Sequence, residues 1–315
     1  MADDWREDVR AFPRFEGVRT FMRLPYEPKP TAADVVVAGA PFDTTASFRS
    51  GARFGPEAIR RISSLLRPAH VYHQVRPADI LRIVDGGDFP VIPGNTQKSF
   101  ESITEGLIAW IRQGAVPITL GGDHSVALAE LRAIASEHGP VALIQFDAHQ
   151  DTWDEYWGEK YTHGTPFRRA LEEGLIDASR STQIGMRGTV YHPNDIEEGR
   201  SLGFGVITSE NVRDIGFIET IQIARERARG EKVFLTFDID FLDPAYAPAT
   251  GTPEIGGFTT FEAQNLLRQL AGLNFVGFDV VEVLPSLDPT EVTALAGATM
   301  VFEFLALLAA GRKKQ

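Results

Sequence analysis

The sequence predicts an α/β protein with three layers, helices packed on both sides of a mostly parallel sheet. Three observations carry that reading. Short β-branched runs alternate with longer helical stretches from Ala33 onward, the pattern of repeated βα units. The runs are apolar without period-two alternation, as strands are when helices cover both sheet faces. Polar residues gather after the runs rather than before them, where open α/β sheets bind ligands.

Taken in order, residues 1–32 carry Pro13, Pro25, Pro28 and Pro30 and read as an N-terminal arm. Residues 33–315 read as one domain, because no linker or internal repeat interrupts the alternation. Strands are predicted at 34–39, 81–85, 117–120, 141–146, 183–186, 205–208, 233–237 and 275–281. Between them, residues 56–66 form a helix with proline in its first turn. A second helix at 97–113 aligns Phe100, Ile103, Leu107 and Ile111 on one face. Further helices are predicted at 126–136, 166–173 and 217–229. The pair Thr259 and Glu262 forms a capping box that opens a helix through about residue 271. The last helix is predicted at 293–308.

Composition narrows the chemistry. Of 315 residues, 43% are apolar and 23% charged, which is ordinary globular usage. There is no cysteine, so disulfides, thiolate metal sites and cysteine nucleophiles are excluded. The formal net charge of −12 disfavours nucleic acid and anionic membranes and mildly favours a cationic small substrate. The N-terminal segment has no apolar region of the signal-peptide kind. The apolar stretch 300–310 is too short to span a bilayer and is broken by Glu303. The expectation is a cytoplasmic protein.

Four strands end in polar groups: Gly121-Gly-Asp-His124-Ser, Asp147-Ala-His149-Gln-Asp151, Asp238-Ile-Asp240, and Glu282. Spacing at i, i+2 and i+4 puts side chains on one face of an extended backbone. The strand ends therefore aim His124, Asp147, His149, Asp151, Asp238 and Asp240 into one crevice. Four carboxylates that close repel strongly. Two divalent cations balance them, and a set of carboxylates and imidazoles suits Mn²⁺ or a similar ion. Paired ions activate water at neutral pH. Asp123 and Asp243 read as turn caps. His70, His73, His138 and His192 fall outside these patches and read as surface or packing residues. The glycines at 121–122 and 251–257 lack the lysine and spacing of phosphate loops and read as turns beside the cleft. No serine sits in a nucleophile elbow.

These motifs resemble the ureohydrolases, the family of arginase and agmatinase. The matches are Gly-Gly-Asp-His-Ser, Asp-Ala-His-x-Asp and Phe-Asp-Ile-Asp-x-x-Asp-Pro, in family order. The segments Gly51-Ala-Arg-Phe-Gly-Pro and Tyr161-Thr-His-Gly-Thr-Pro-Phe add to them, the latter in its agmatinase-like form. The resemblance implies an arginase-like fold with a parallel sheet of eight strands and two Mn²⁺ per subunit. One ion would take His124, Asp147, Asp151 and Asp238. The other would take Asp147, His149, Asp238 and Asp240. His163 matches the family's proton-carrying histidine, against a packed loop histidine as the plain reading. Glu282 matches the carboxylate that holds the guanidinium, against a strand-end ion pair. Asp151 would relay a proton. A homo-oligomer, trimer or hexamer, is implied as well. Thr236 stands where serine is common in the family, and Ala249 where many agmatinases have glycine.

The implied reaction splits a guanidino compound into urea and an amine. The loop 152–162 carries Asp154, Glu155 and Glu159 among Trp153, Tyr156, Trp157 and Tyr161. Acids and aromatics suit a cationic tail, so agmatine, giving putrescine, is the first expectation. Lys160 and Arg168 favour the alternative, a guanidino-acid hydrolase acting on guanidinobutyrate, guanidinopropionate or a proclavaminate-type substrate. A silent metal-binding relative is a third reading, opposed by the complete ligand set.

Overall fold

Each apolar run forms a strand, and every neighbouring pair of strands runs parallel. The computed structural model describes residues 13–313. Strands β1 (Val35–Ala40), β2 (Ile83–Asp88), β3 (Val116–Gly121), β4 (Ala142–Phe146), β5 (Thr182–Met186), β6 (Gly205–Thr208), β7 (Lys232–Asp238) and β8 (Asn274–Val281) form one sheet. Its order is β2-β1-β3-β8-β7-β4-β5-β6.

Ten helices flank it: α1 (Gly55–Ser63), α2 (Pro77–Ile80), α3 (Thr96–Ile111), α4 (Val126–His138), α5 (Pro166–Glu172), α6 (Asp195–Ser201), α7 (Ser209–Ile215), α8 (Phe217–Arg227), α9 (Thr260–Arg268) and α10 (Val292–Lys313) among the described residues. Alternate residues of β1 enter opposite cores. Val35 and Val37 pack with α1, α9 and α10, and Val36 and Ala38 pack with α3 and α4. This two-sided burial is why the strands lack alternation.

Prolines stand in the first turn of α1, α2 and α5, where a missing N–H costs nothing. The Thr259–Glu262 capping box forms at α9. Sequence periodicity missed α2, α6 and α7, which are too short to build an apolar face. A second capping box, Thr208 with Asn211, opens α7. Helix α10 extends past the predicted 293–308. By length and composition it is apolar enough to cross a membrane, yet it is mostly buried within the fold. Glu303 on it is buried and paired with His70 and Arg268.

Of the predicted arm, residues 1–12 lie outside the described residues. The remainder reaches the sheet edge. Phe21 is buried and its N–H donates to Asp85 Oδ2 (2.7 Å), and Tyr26 forms a β-bridge with Asp85.

Candidate metal centre and active site

The C-terminal ends of the adjacent strands β3, β8, β7 and β4 supply the predicted residues. His124 follows β3, and Asp147, His149 and Asp151 follow β4. Asp238 ends β7, with Asp240 in the short 3-10 turn after it, and Glu282 follows β8. All six expected ligands come together. His124 Nδ1 lies 3.1 Å from Asp147 Oδ2, 2.9 Å from Asp151 Oδ2 and 3.3 Å from Asp238 Oδ2. His149 Nδ1 lies 3.0 Å from Asp240 Oδ2 and 3.7 Å from Asp147 Oδ1. Asp147 thus turns one oxygen to each group, as a shared ligand does. Asp238 Oδ2 joins the first group, while its Oδ1 accepts the Asp240 N–H (2.9 Å).

Two observations test whether cations fit. His124 Nδ1 is fully buried and close to three carboxylate oxygens, yet makes a well-formed hydrogen bond with none; Asp240 Oδ2 is likewise unpartnered. The other ring nitrogen of His124, Nε2, is held by Thr236 Oγ1 at 2.8 Å, which leaves Nδ1 directed into the acids. Burial, then the charges of Asp240 and Asp151, pushes the Asp147 carboxyl up to about 7. Burial and the charges of Asp240 and Asp147 raise Asp238 well above the carboxylate range. Asp240 goes the other way, to about 2, because His149 and Arg187 outweigh its burial. Carboxyls packed this way hold protons unless cations replace them. Oxygen donors with one imbalanced imidazole per group suit hard divalent ions.

A cavity of about 330 Å³ opens onto His149, Asp151, Asp238 and His163, and Glu282 lies beside His124 and His163. Glu282 is 1% exposed. Its Oε1 accepts the His124 N–H (3.0 Å) and lies 3.1 Å from His163 Nδ1, whereas Oε2 has no partner. A Cβ at Gly251 would come within 3.1 Å of that free oxygen, so glycine keeps it open. Burial alone would lower His163, but the hydrogen bond and charge of Glu282 outweigh it and raise its pKa to about 9. Ser47, which the sequence reading did not single out, holds His163 Nε2 through its hydroxyl at 2.6 Å. Asp151 and Glu282 both adopt positive φ, +53° and +63°. Non-glycine residues rarely do so, and such strain clusters at functional sites.

The loop glycines have a reason beyond turning. A Cβ at Gly122 would lie 1.7 Å from Phe42 O, so only glycine lets the two segments touch. Asp123 acts as a brace, as predicted for a turn cap. Its Oδ1 accepts the Ser125 N–H (3.1 Å), and its Oδ2 accepts the Thr45 N–H (3.0 Å).

The tail loop departs from expectation. Trp153 and Tyr156 line the cavity, but Asp154, Glu155 and Glu159 do not. Asp154 instead pairs with Arg169 at 2.7 Å. Arg168 pairs with Glu172 and Glu198. Besides Asp151 and Asp238 of the cluster, the acids that line the cavity are Asp195, Glu198 and Glu254, from α6 and the loop after β7. Among the described residues, Arg187 is the one lysine or arginine lining it. Its guanidinium is spent on the carbonyls of Asp240 (2.5 Å) and Glu254 (2.9 Å).

A cluster of His and Asp at the carboxyl edge of a parallel eight-stranded sheet fits the ureohydrolases. The chain belongs to the arginase family, whose sequence profile matches residues 33–307, and it is an amidinohydrolase of guanidino compounds. It is 47% identical to the guanidinopropionase of Pseudomonas aeruginosa over 304 residues, 96% of this chain and 95% of that protein. It is 44% identical to the mitochondrial agmatinase of Gallus gallus over 292 residues, 93% of this chain and 86% of that protein. The structure of proclavaminate amidinohydrolase from Streptomyces clavuligerus superposes with a TM-score of 0.91 at 38% identity, covering 95% of this chain and 100% of that one.

Proposed function

We propose that the chain hydrolyses a short linear guanidino acid to urea and an amino acid, in a centre that holds two Mn²⁺. The free Oε2 of buried Glu282 is the observation that carries the guanidino reading. A planar guanidinium offers paired N–H donors that match a carboxylate, and this carboxylate oxygen is desolvated with nothing to accept from. The ligands would be His124, Asp147, Asp151 and Asp238 on one side and Asp147, His149 and Asp240 on the other, with Asp238 shared. Bound ions supply Lewis-acid activation of water.

The chain's own residues do the rest. Glu282 orients the substrate and Gly251 leaves room for it. His163 holds a proton at Nδ1, shared with Glu282, and Ser47 fixes the ring from Nε2. Such a group can protonate the leaving amine, which a poor leaving nitrogen requires. Asp151, beside His124, is placed to pass a proton out of the cluster.

The acid tail is supported by the similarity to guanidinopropionase and proclavaminate amidinohydrolase. A second reading, agmatine, is favoured by one observation: Asp195, Glu198 and Glu254 make the cavity mouth acidic. The test is urea release by Mn²⁺-loaded protein from guanidinopropionate, guanidinobutyrate, agmatine and arginine. The expected result is a guanidino acid preferred over agmatine by about tenfold or more in kcat/KM. Preference for agmatine would replace the first reading by the second. Urea from none of them, with two ions bound, would leave a silent relative.

A further inference from the structure

The sheet carries a row of buried polar residues one pleat beneath the metal centre. Strand register places Thr119 opposite Asp279, Asp279 opposite Thr236, Thr236 opposite Gln145, and Gln145 opposite Gln183. All five are 0% exposed. Such residues are costly in a sheet buried on both faces, and part of the row has an evident purpose. Gln183 Nε2 donates to Gln145 Oε1 (2.6 Å), and Gln145 Nε2 donates to Asp147 Oδ2 (2.7 Å).

The other end of the row is unexplained by the reaction. Glu130 on α4 comes down onto Asp279 and is itself 0% exposed. Neither Glu130 oxygen nor Asp279 Oδ2 has a hydrogen-bond partner as heavy atoms alone define one. No lysine or arginine pairs with either carboxyl in any described salt bridge. Two carboxyls in contact, without a cation, cannot both be ionised in a dry interior. Burial and the charge of Asp279 raise Glu130 well above the carboxylate range, and burial raises Asp279 only to about 6. Asp279 Oδ1 already accepts the Phe237 N–H, which places the pair's one proton on the Glu130 side. Asp279 keeps a negative charge and accepts from the Thr236 hydroxyl and the Phe237 N–H (3.3 Å).

Resting on the metal reading of His124, we infer that Glu130 and Asp279 share one proton and act, through Thr236, as positioning residues for the His124 ligand. The donors run in one direction. Glu130 O–H donates to Asp279, Thr236 O–H donates to Asp279, and His124 Nε2–H donates to Thr236 Oγ1 (2.8 Å). That order fixes the His124 tautomer with Nδ1 free for a cation. It also places a negative charge behind the imidazole, which raises its basicity as a ligand.

The test compares Mn²⁺ affinity, read by electron paramagnetic resonance of the free ion, with infrared difference spectra of the loaded protein. Glu130→Gln keeps a donor to Asp279 and is expected to bind Mn²⁺ like wild type. Its difference spectrum against wild type should show the loss of a buried carboxylic-acid C=O band that shifts in D₂O. Glu130→Leu and Thr236→Val remove a donor and are expected to weaken Mn²⁺ binding by about 10- to 100-fold, with Thr236→Ser restoring it. Wild-type affinity in both Glu130→Leu and Thr236→Val, or no acid band removed by Glu130→Gln, would overturn the inference. The infrared result decides it even if Glu130→Leu fails to fold. Wild-type protein that binds no Mn²⁺ would sink the metal reading and this inference with it; bound wild type with unchanged variants would sink the inference alone.

Discussion

Two groupings of acids at the sheet are built on opposite rules. Near the sheet edge, Asp85 is buried and meets Arg60 at 2.9 Å, and Asp88 shares the same guanidinium. Asp85 also accepts the N–H groups of Phe21 and Gly87. Every acid there has a protein cation or a backbone donor. At the carboxyl edge, Asp147, Asp151, Asp238 and Asp240 converge on two imidazoles with no lysine or arginine paired to them in any described salt bridge, and Arg187 is committed to carbonyls. Burying carboxylates with a matched cation is architecture. Burying them without one calls either for a shared proton, as at Glu130 and Asp279, or for a charge from outside. The missing counter-charge, more than burial itself, separates the functional cluster from the structural one.

The sharpest way to break that contrast is to remove one acid from each cluster's logic. Asp238→Ala takes a carboxylate from the unmatched cluster. Urea release should fall to background and bound Mn²⁺, measured by metal analysis of the purified protein, should drop with it. Full turnover in this variant would mean the cluster is not a metal centre. His163→Ala removes a proton carrier without touching the ligands. Turnover should fall by about 10²- to 10⁴-fold while metal content stays at the wild-type level. Equal loss of metal would place His163 among the ligands instead.

In the matched cluster the same kind of cut should cost stability and leave chemistry alone. Arg60→Met leaves Asp85 buried with backbone donors only. The expected loss is about 3–5 kcal/mol of unfolding free energy, read from urea denaturation, with unchanged kcat per folded molecule. A large loss of kcat with unchanged stability would erase the distinction. Between the extremes lies the cavity mouth. Glu254→Gln removes one charge near substrate, 4.0 Å from His149 Nε2. For a guanidino acid, KM should fall by up to about fivefold, since exposed charge pairs are worth little. For agmatine it should rise.

Much of this was legible in the sequence, for identifiable reasons. Apolar runs of strand length gave all eight strands, because a strand buried on both faces is mostly apolar along its length. The polar residues at i, i+2 and i+4 after β4 marked the groups that converge, although the backbone leaves the extended region by Asp151, whose φ is +53°. What failed was local charge reading. Asp154, Glu155 and Glu159 sit in the right loop, but Arg169 turns Asp154 away from the cavity, and the acids at the mouth come from segments distant in sequence. Ser47 was invisible for the same reason, being 116 residues from His163. Glu130 and Asp279 were passed over because a polar residue inside an apolar element has meaning only once strand register shows what lies opposite.

The smallest expected effect sharpens the comparison most finely. Glu303 is a matched acid in the middle of apolar α10, with Arg268 at 2.6 Å and His70 at 2.8 Å. Burial opposes its ionisation, but the hydrogen bonds of His70 and Arg268 win and hold its pKa below 4.5. A carboxyl depressed in the folded state stabilises it above the unfolded-state pKa and loses that contribution as pH falls through the folded one. Wild type should therefore be more stable than Glu303→Gln at neutral pH. The gap should narrow below about pH 4.5, where the unfolded glutamate begins to take up protons. Denaturation midpoints of the two proteins, measured from pH 7 downward, provide the reading. A gap that stays constant with pH would mean Glu303 contributes by shape and hydrogen bonding rather than by charge, and the two clusters would then differ in more than their counter-ions.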